Sequence, residues 1–211
     1  FRISALSVRG KAGDAVTDIR YVSHKIYQGK PALSGLPATF DREGAAQTLE
    51  VETLDAVTGV KVTLLYTVFE DYPVIARSAR VENTGDSPVN LERVYSACLD
   101  LPTMGWDMVH LYGRWAKENT TVRHPLQHGI QAIHSKRGMT GPNHNPFLAL
   151  ADHTATEETG EALGMSLLYS GNFAFDVEVD TPRTSAGTWS PARASRHPRL
   201  CWSTPTPAWA A

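Results

Sequence analysis

The stretch NHNPFLALADHTATEETGEALGMSLLYSGNFAFDVEV, Asn143 to Val179, decides the fold. It holds three apolar runs, Phe147–Ala151, Ala162–Tyr169 and Phe173–Val179, separated by two polar connectors. In the last run Phe173, Phe175, Val177 and Val179 alternate with Ala174, Asp176, Glu178 and Asp180. A period of two puts one set of side chains into a core and the other outward, which is a half-buried strand. Nothing in the stretch reads as helix. Asn143, His144 and Asn145 stand between Pro142 and Pro146 just before a strand, where a scaffold presents groups that touch something else.

Working outward, strand signals dominate. Candidates are Ile3–Val8, Arg20–Tyr27, Leu49–Thr53, Val60–Val68, Val74–Val81, Val89–Tyr95, Met108–Tyr112 and Ile130–His134. Thr58-Gly59 closes a turn, so Leu49–Thr53 and Val60–Val68 read as a hairpin. Asn83-Thr84-Gly85-Asp86-Ser87-Pro88 has strong turn chemistry, so Val74–Val81 and Val89–Tyr95 read as a second pair. Short strands with Gly, Pro and Asn turns point to an all-β antiparallel sandwich.

A chain of 211 residues is long enough for a real core. A net charge of −2 gives no basic footprint for nucleic acid or an anionic membrane. No run approaches the roughly 18 apolar residues of a transmembrane helix. No leader is visible, and Phe1 in place of Met suggests a start inside a larger chain. Cys98 and Cys201 make no disulfide framework, so a cytoplasmic location is expected. The sequon Asn119-Thr120-Thr121 is read as incidental without a leader.

Composition changes near residue 181. All 22 acidic residues lie at or before Asp180, while the tail carries Trp189, Trp202 and Trp209. It shows no strand period, so residues 181–211 are expected to be irregular and distinct from the domain 1–180.

Five of the eight histidines fall between His124 and His153. His124 and His128 would align on a helix, but Pro125 and Gly129 oppose one, so solvated loop histidines are expected and no metal site. No Gly-x-Ser-x-Gly elbow and no phosphate-cradling Gly-Lys-Ser/Thr loop is present. Trp106-Asp107 reads as a turn with a packed indole rather than as an aromatic-plus-acid sugar site. Arg114 and Trp115 sit at a strand end. They edge a sugar pocket by hydrogen bond and stacking, or form a cation–π pair closing the sandwich. Asn143, His144 and Asn145 either hydrogen-bond sugar hydroxyls or satisfy local backbone groups.

Several runs taken together resemble a known family. They are Tyr21-Val22-Ser23-His24-Lys25-Ile26-Tyr27, Gly35-Leu36-Pro37-Ala38-Thr39, Thr63-Leu64-Leu65-Tyr66-Thr67-Val68-Phe69, Leu91-Glu92-Arg93, and Ser96-Ala97-Cys98-Leu99-Asp100-Leu101-Pro102. His144-Asn145-Pro146-Phe147-Leu148-Ala149-Leu150 and Leu168-Tyr169-Ser170-Gly171-Asn172-Phe173 belong with them. Over residues 1 to about 180 the chain resembles the N-terminal domain of bacterial alpha-galactosidases of glycoside hydrolase family 36. The resemblance implies an antiparallel β-supersandwich, galactose-mutarotase-like, with its first strands missing. It implies a partner too, a catalytic (β/α)8 barrel with an aspartate nucleophile and an aspartate acid/base. That barrel would perform retaining hydrolysis of terminal alpha-D-galactosides of the melibiose and raffinose type. It is absent here, so no catalytic residue and no cofactor are expected, and the chain alone should be inactive. Trp106-Asp107 is a decoy for the family's Lys-Trp-Asp motif, since Gly105 precedes it and Val109 stands where the family has Asn. Arg114, Trp115, Asn143, His144 and Asn145 become candidates for the substrate rim or the barrel-facing surface. The parent is expected to be a homo-oligomer. A free-standing carbohydrate-binding or oligomerisation module is the alternative.

The resemblance also bears on the tail. Ala192–Pro198 can be encoded so that reading one base earlier gives Gly-Glu-Gly-Phe-Gln-Thr-Pro, as the family pattern continues. The rest can then spell Glu-Ala-Val-Leu-Val-Tyr-Ser. A frameshift between residues 181 and 188 is expected, with lost closing strands and marginal stability as consequences.

Overall fold

The computed structural model describes residues 4–33, 38–101, 105–179 and 198–203, the last six by backbone alone. Every regular element among them is a strand, and nine strand pairs run antiparallel. The all-β, antiparallel, sandwich-like fold expected from the period-two runs is the fold observed. Two compact units divide at Ala97/Cys98.

In the first unit, β2 (Arg20–Gln28), β3 (Gln47–Leu54), β4 (Val60–Val68) and β5 (Ile75–Asn83) form one sheet in that order. The expected hairpin at Thr58-Gly59 joins β3 to β4. Asp55 caps it, accepting from the amides of Val57 and Thr58. The expected second pair does not form. β6 (Asn90–Val94) leaves β5 and pairs with β1 (Leu6–Arg9). The turn residues do turn the chain: Thr84 donates to Gly59 O, and a Cβ on Gly59 would lie 2.5 Å from Gly85 N. The partner of β6 is chosen by burial instead. Val8, Val60 and Val62 form a core onto which Leu6, Leu64, Val89 and Leu91 pack. Ile3 of the first expected strand lies outside the described residues, as do Gly35, Leu36 and Pro37.

In the second unit, one sheet runs β12 (Ala162–Ser166), β11 (His144–Asp152), β8 (Trp106–Arg114), β9 (Lys117–Pro125). Another runs β10 (Gly129–Ser135), β13 (Phe173–Val179), β14 (Pro198–Ser203), β7 (Ala97–Asp100). Met108, Ile133, Leu148, Leu150, Met165, Phe173, Phe175 and Val177 make the core of this unit. The strand read at Phe173–Val179 is β13 to the residue, its odd-numbered side chains buried.

Three expectations are corrected here. Trp106-Asp107 opens β8 and is no turn, although Trp106 does pack on the core. His124 is in β9 rather than in a solvated loop. The tail, expected to be irregular, contributes β14, whose six residues pair with Ala174–Val179 of β13. A bare strand edge offers a row of unpaired donors and acceptors, and backbone pairing takes almost any sequence that can extend. Residues 181–197 and 204–211, with Trp189 and Trp209, lie outside the described residues.

Candidate functional site

The candidate residues meet at one end of the β12-β11-β8-β9 sheet. β8 and β9 form a hairpin in which Arg114 faces Lys117, leaving Trp115 and Ala116 as the tip. Ala116 has φ 61° and Asn119 φ 58°, left-handed values that L side chains adopt at a cost. Two contacts hold this geometry. The Ala116 amide donates to Glu118 Oε1 at 2.9 Å, and Asn145 Nδ2 donates to Asn119 Oδ1. Gly113 lets the strands close, because a Cβ there would stand 2.5 Å from Lys117 O, 2.8 Å from Glu118 Cα and 3.1 Å from Pro142 O. The result is a braced tip with the Trp115 side chain 86% exposed.

The cation–π alternative for Arg114 and Trp115 is not what the fold builds: Trp115 makes no ring or cation contact among the described residues. Among the described residues neither amide of the Asn-His-Asn segment bonds the backbone group that the local reading expects; both bond side chains. Asn143 Oδ1 accepts from Arg137 at 2.9 Å, and Asn145 holds Asn119. His144 pairs with Tyr112, its ring 5.6 Å from that of Tyr112 and 5.6 Å from that of His110. His124 lies 5.9 Å from His110. His110 Nδ1 and His144 Nδ1 are enclosed with no hydrogen-bond partner among the described residues. Burial, then the neighbouring His144 and His124, push His110 below the ordinary imidazole range. Burial, then His134, do the same to His144. Among the described residues no group of three or more His, Cys, Asp or Glu side chains has metal-holding geometry.

The opposite end of β8 holds a constellation that spacing did not reveal. Asp107 is 5% exposed; its Oδ2 accepts from Arg123 Nε at 2.7 Å and its Oδ1 meets His153 Nδ1 at 2.8 Å. Burial raises the Asp107 pKa, but the His153 and Arg123 hydrogen bonds outweigh it and hold the carboxyl below its usual range. Arg123 also donates to the carbonyls of Ala155, Asp152 and His153. A cavity of about 170 Å³ bordered by Trp106, Leu126 and His153 adjoins this group. Both carboxylate oxygens are already engaged, so this is a clamp on the connector after β11 rather than an acid ready for proton transfer.

With this geometry in hand, comparison with known proteins is direct. Residues 1–188 match the glycosyl hydrolase family 36 N-terminal domain. The chain is 47% identical over 191 residues to alpha-galactosidase AgaA of Geobacillus stearothermophilus, covering 89% of this chain and 26% of that protein. It is 40% identical over 178 residues to alpha-galactosidase 2 of Hypocrea jecorina, covering 84% and 24%. The crystal structure of the Geobacillus AgaA enzyme superposes with a TM-score of 0.88 at 42% identity, over 96% of this chain and 26% of that one. A variant of it in complex with raffinose gives the same figures. The chain thus spans about a quarter of the length of these relatives.

Proposed function

The chain belongs to the glycosyl hydrolase family 36 N-terminal domain family, and from that premise we propose that it is the non-catalytic sandwich domain of a retaining alpha-galactosidase. Joined to a (β/α)8 barrel, it would support hydrolysis of terminal alpha-D-galactosides of the raffinose and melibiose type. The relatives are alpha-galactosidases by name, and one is bound to raffinose. The observation that carries the reading is the braced hairpin tip. An indole 86% exposed on a rigid turn is fitted to enter a partner surface, and Arg114 beside it supplies donors. In this proposal Trp115 and Arg114 touch the barrel or its substrate. Asn143, His144 and Asn145 act behind them by holding the hairpin.

Oligomerisation in the parent is part of the same proposal. Ile26, Val68 and Ile75, in strands of the first unit's sheet, are 67%, 52% and 66% exposed, an apolar set suited to burial against another surface. Cytoplasmic residence, supported by the lack of a cysteine framework, is included too; cell fractionation decides it. No helix among the described residues is long and apolar enough to cross a membrane.

The test is incubation of the 211-residue chain with a chromogenic alpha-galactoside. No turnover is expected, and turnover by this chain alone would sink the reading. The exposed tryptophan also favours a second reading, a free carbohydrate-binding module; galactose titration by calorimetry separates the two.

The tail is likewise proposed to be read in a shifted frame. What supports this is composition, since no acidic residue follows Asp180; β14 runs against the expected loss of closing strands, because a tail segment pairs beside β13. The gene sequence decides it: a frame in which no single-base shift restores the family pattern refutes the idea.

A further inference from the structure

The imidazoles beneath the hairpin are not explained by a rim contact. β8 supplies His110 and Tyr112, β9 His124 and β11 His144, joined ring to ring at 5.6–5.9 Å. From β10, His134 acts on His144 through its charge. The charged groups acting on His110 are His144 and His124. Among the described residues no carboxylate is among the groups shifting either ring. Each of His110 and His144 has an enclosed Nδ1 without a partner among the described residues. A neutral ring tolerates that position. An imidazolium has two donors, and the enclosed one must find an acceptor or water.

The strand pairing is interrupted at the same place. His144 faces Tyr112 and Leu148 faces His110, so Asn145, Pro146 and Phe147 bulge opposite Leu111. Asn145 in that bulge is the residue that holds Asn119 and the left-handed turn.

We propose that this imidazole row is a proton-operated latch for the Trp115 hairpin. Neutral rings keep the β11 bulge seated against β8. Proton uptake by His110 and His144 drives the rings apart and toward water, unseats the bulge, and frees Asn119 from Asn145. The tip then loses its brace while the Phe173–Phe175 core stays closed. Control of a substrate rim rests on the reading of Trp115 given above; the latch itself does not.

The test uses the 211-residue chain at about pH 7.5 and about pH 4.5, the lower value lying beneath the ordinary imidazole transition because both rings are pushed below it. Histidine NMR titrations and amide exchange, corrected for intrinsic rates, are the readouts. His110 and His144 are expected to titrate below the ordinary imidazole range. Exchange over residues 111–120 and 143–148 is expected to rise about tenfold at the lower pH while β13 stays protected, a local opening. In His110→Leu the rise should shrink, and in His128→Gln it should persist. Equal protection of wild type at the two pH values overturns the latch, as does loosening of all of the second unit together, or titration of His110 and His144 within the ordinary imidazole range. A Trp115→Ala change without effect on galactoside KM in a barrel-fused enzyme would overturn the rim reading alone.

Discussion

Replacing Arg123 by Ala removes one side chain that makes four hydrogen bonds. Two are partly buried, to Asp107 Oδ2 at 2.7 Å and to Ala155 O at 2.6 Å. Two are exposed, to the carbonyls of Asp152 and His153 at 2.9 and 3.2 Å. Hydrogen bonds to charged groups contribute ~1.5–3 kcal/mol each when shielded. Exposed charged contacts contribute close to nothing. Arg123 is 36% exposed, so the low end applies to the shielded pair and the exposed pair is set near zero, giving about 3 kcal/mol. That is a large share of the ~5–15 kcal/mol holding a typical fold. It corresponds to a fall in melting temperature of about 6–12 °C for a chain of this size. The assay is thermal unfolding by circular dichroism at neutral pH for wild type, Arg123→Ala, Asp107→Asn and the double variant. The two single changes should be strongly non-additive, since each removes the same ion pair. A melting temperature for Arg123→Ala within about 2 °C of wild type, or strict additivity of the pair, would refute the clamp.

Further expectations concern the core, the hairpin and acid. Phe175→Ala empties a site that is 0% exposed and removes an edge-on ring contact with Phe173 at 6.0 Å, so urea unfolding should show a loss of ~3–5 kcal/mol. Gly113→Ala puts a Cβ 2.5 Å from Lys117 O, a backbone atom that cannot step aside; amide exchange should show the tip opened. Ala116→Gly should do the reverse, because relief of ~1–2 kcal/mol of left-handed strain exceeds the ~0.4–1 kcal/mol entropy cost of glycine. Asp107 has a lowered folded pKa, so its contribution is present above the ordinary carboxyl value of 3.8 and is lost as pH falls through the folded value. Acid titration of Asp107→Asn should lack that last step.

How much of this was legible in the residues follows from how local each cause is. β13 was readable because Phe173, Phe175, Val177 and Val179 go to one core and their neighbours to the other side, a period any reader can count. β9 was not, because Lys117 to Thr121 is polar and exposed on both faces. Its strand state comes from pairing with β8. The Asn83–Pro88 turn was legible, yet it could not say which strand β6 joins, since burial of Val89 and Leu91 settles that. Arg114 and Trp115 announced themselves as a strand end, while the brace behind them depends on β11 meeting β8. Asp107 and Arg123 lie 16 residues apart and meet only when β8 and β9 zip in one register, so spacing carried no trace of the clamp. β14 marks the other limit. Its sequence has no strand period, and it pairs because β13 leaves an edge to be filled. Backbone demand without side-chain alternation can recruit a strand, but it does not fix which residues face the core. If the tail is read out of frame, β14 should be the strand of the second unit first lost on warming, with amide exchange at Arg199–Trp202 far faster than at Ala174–Val177; equal protection along β13 and β14 would count against an unselected tail.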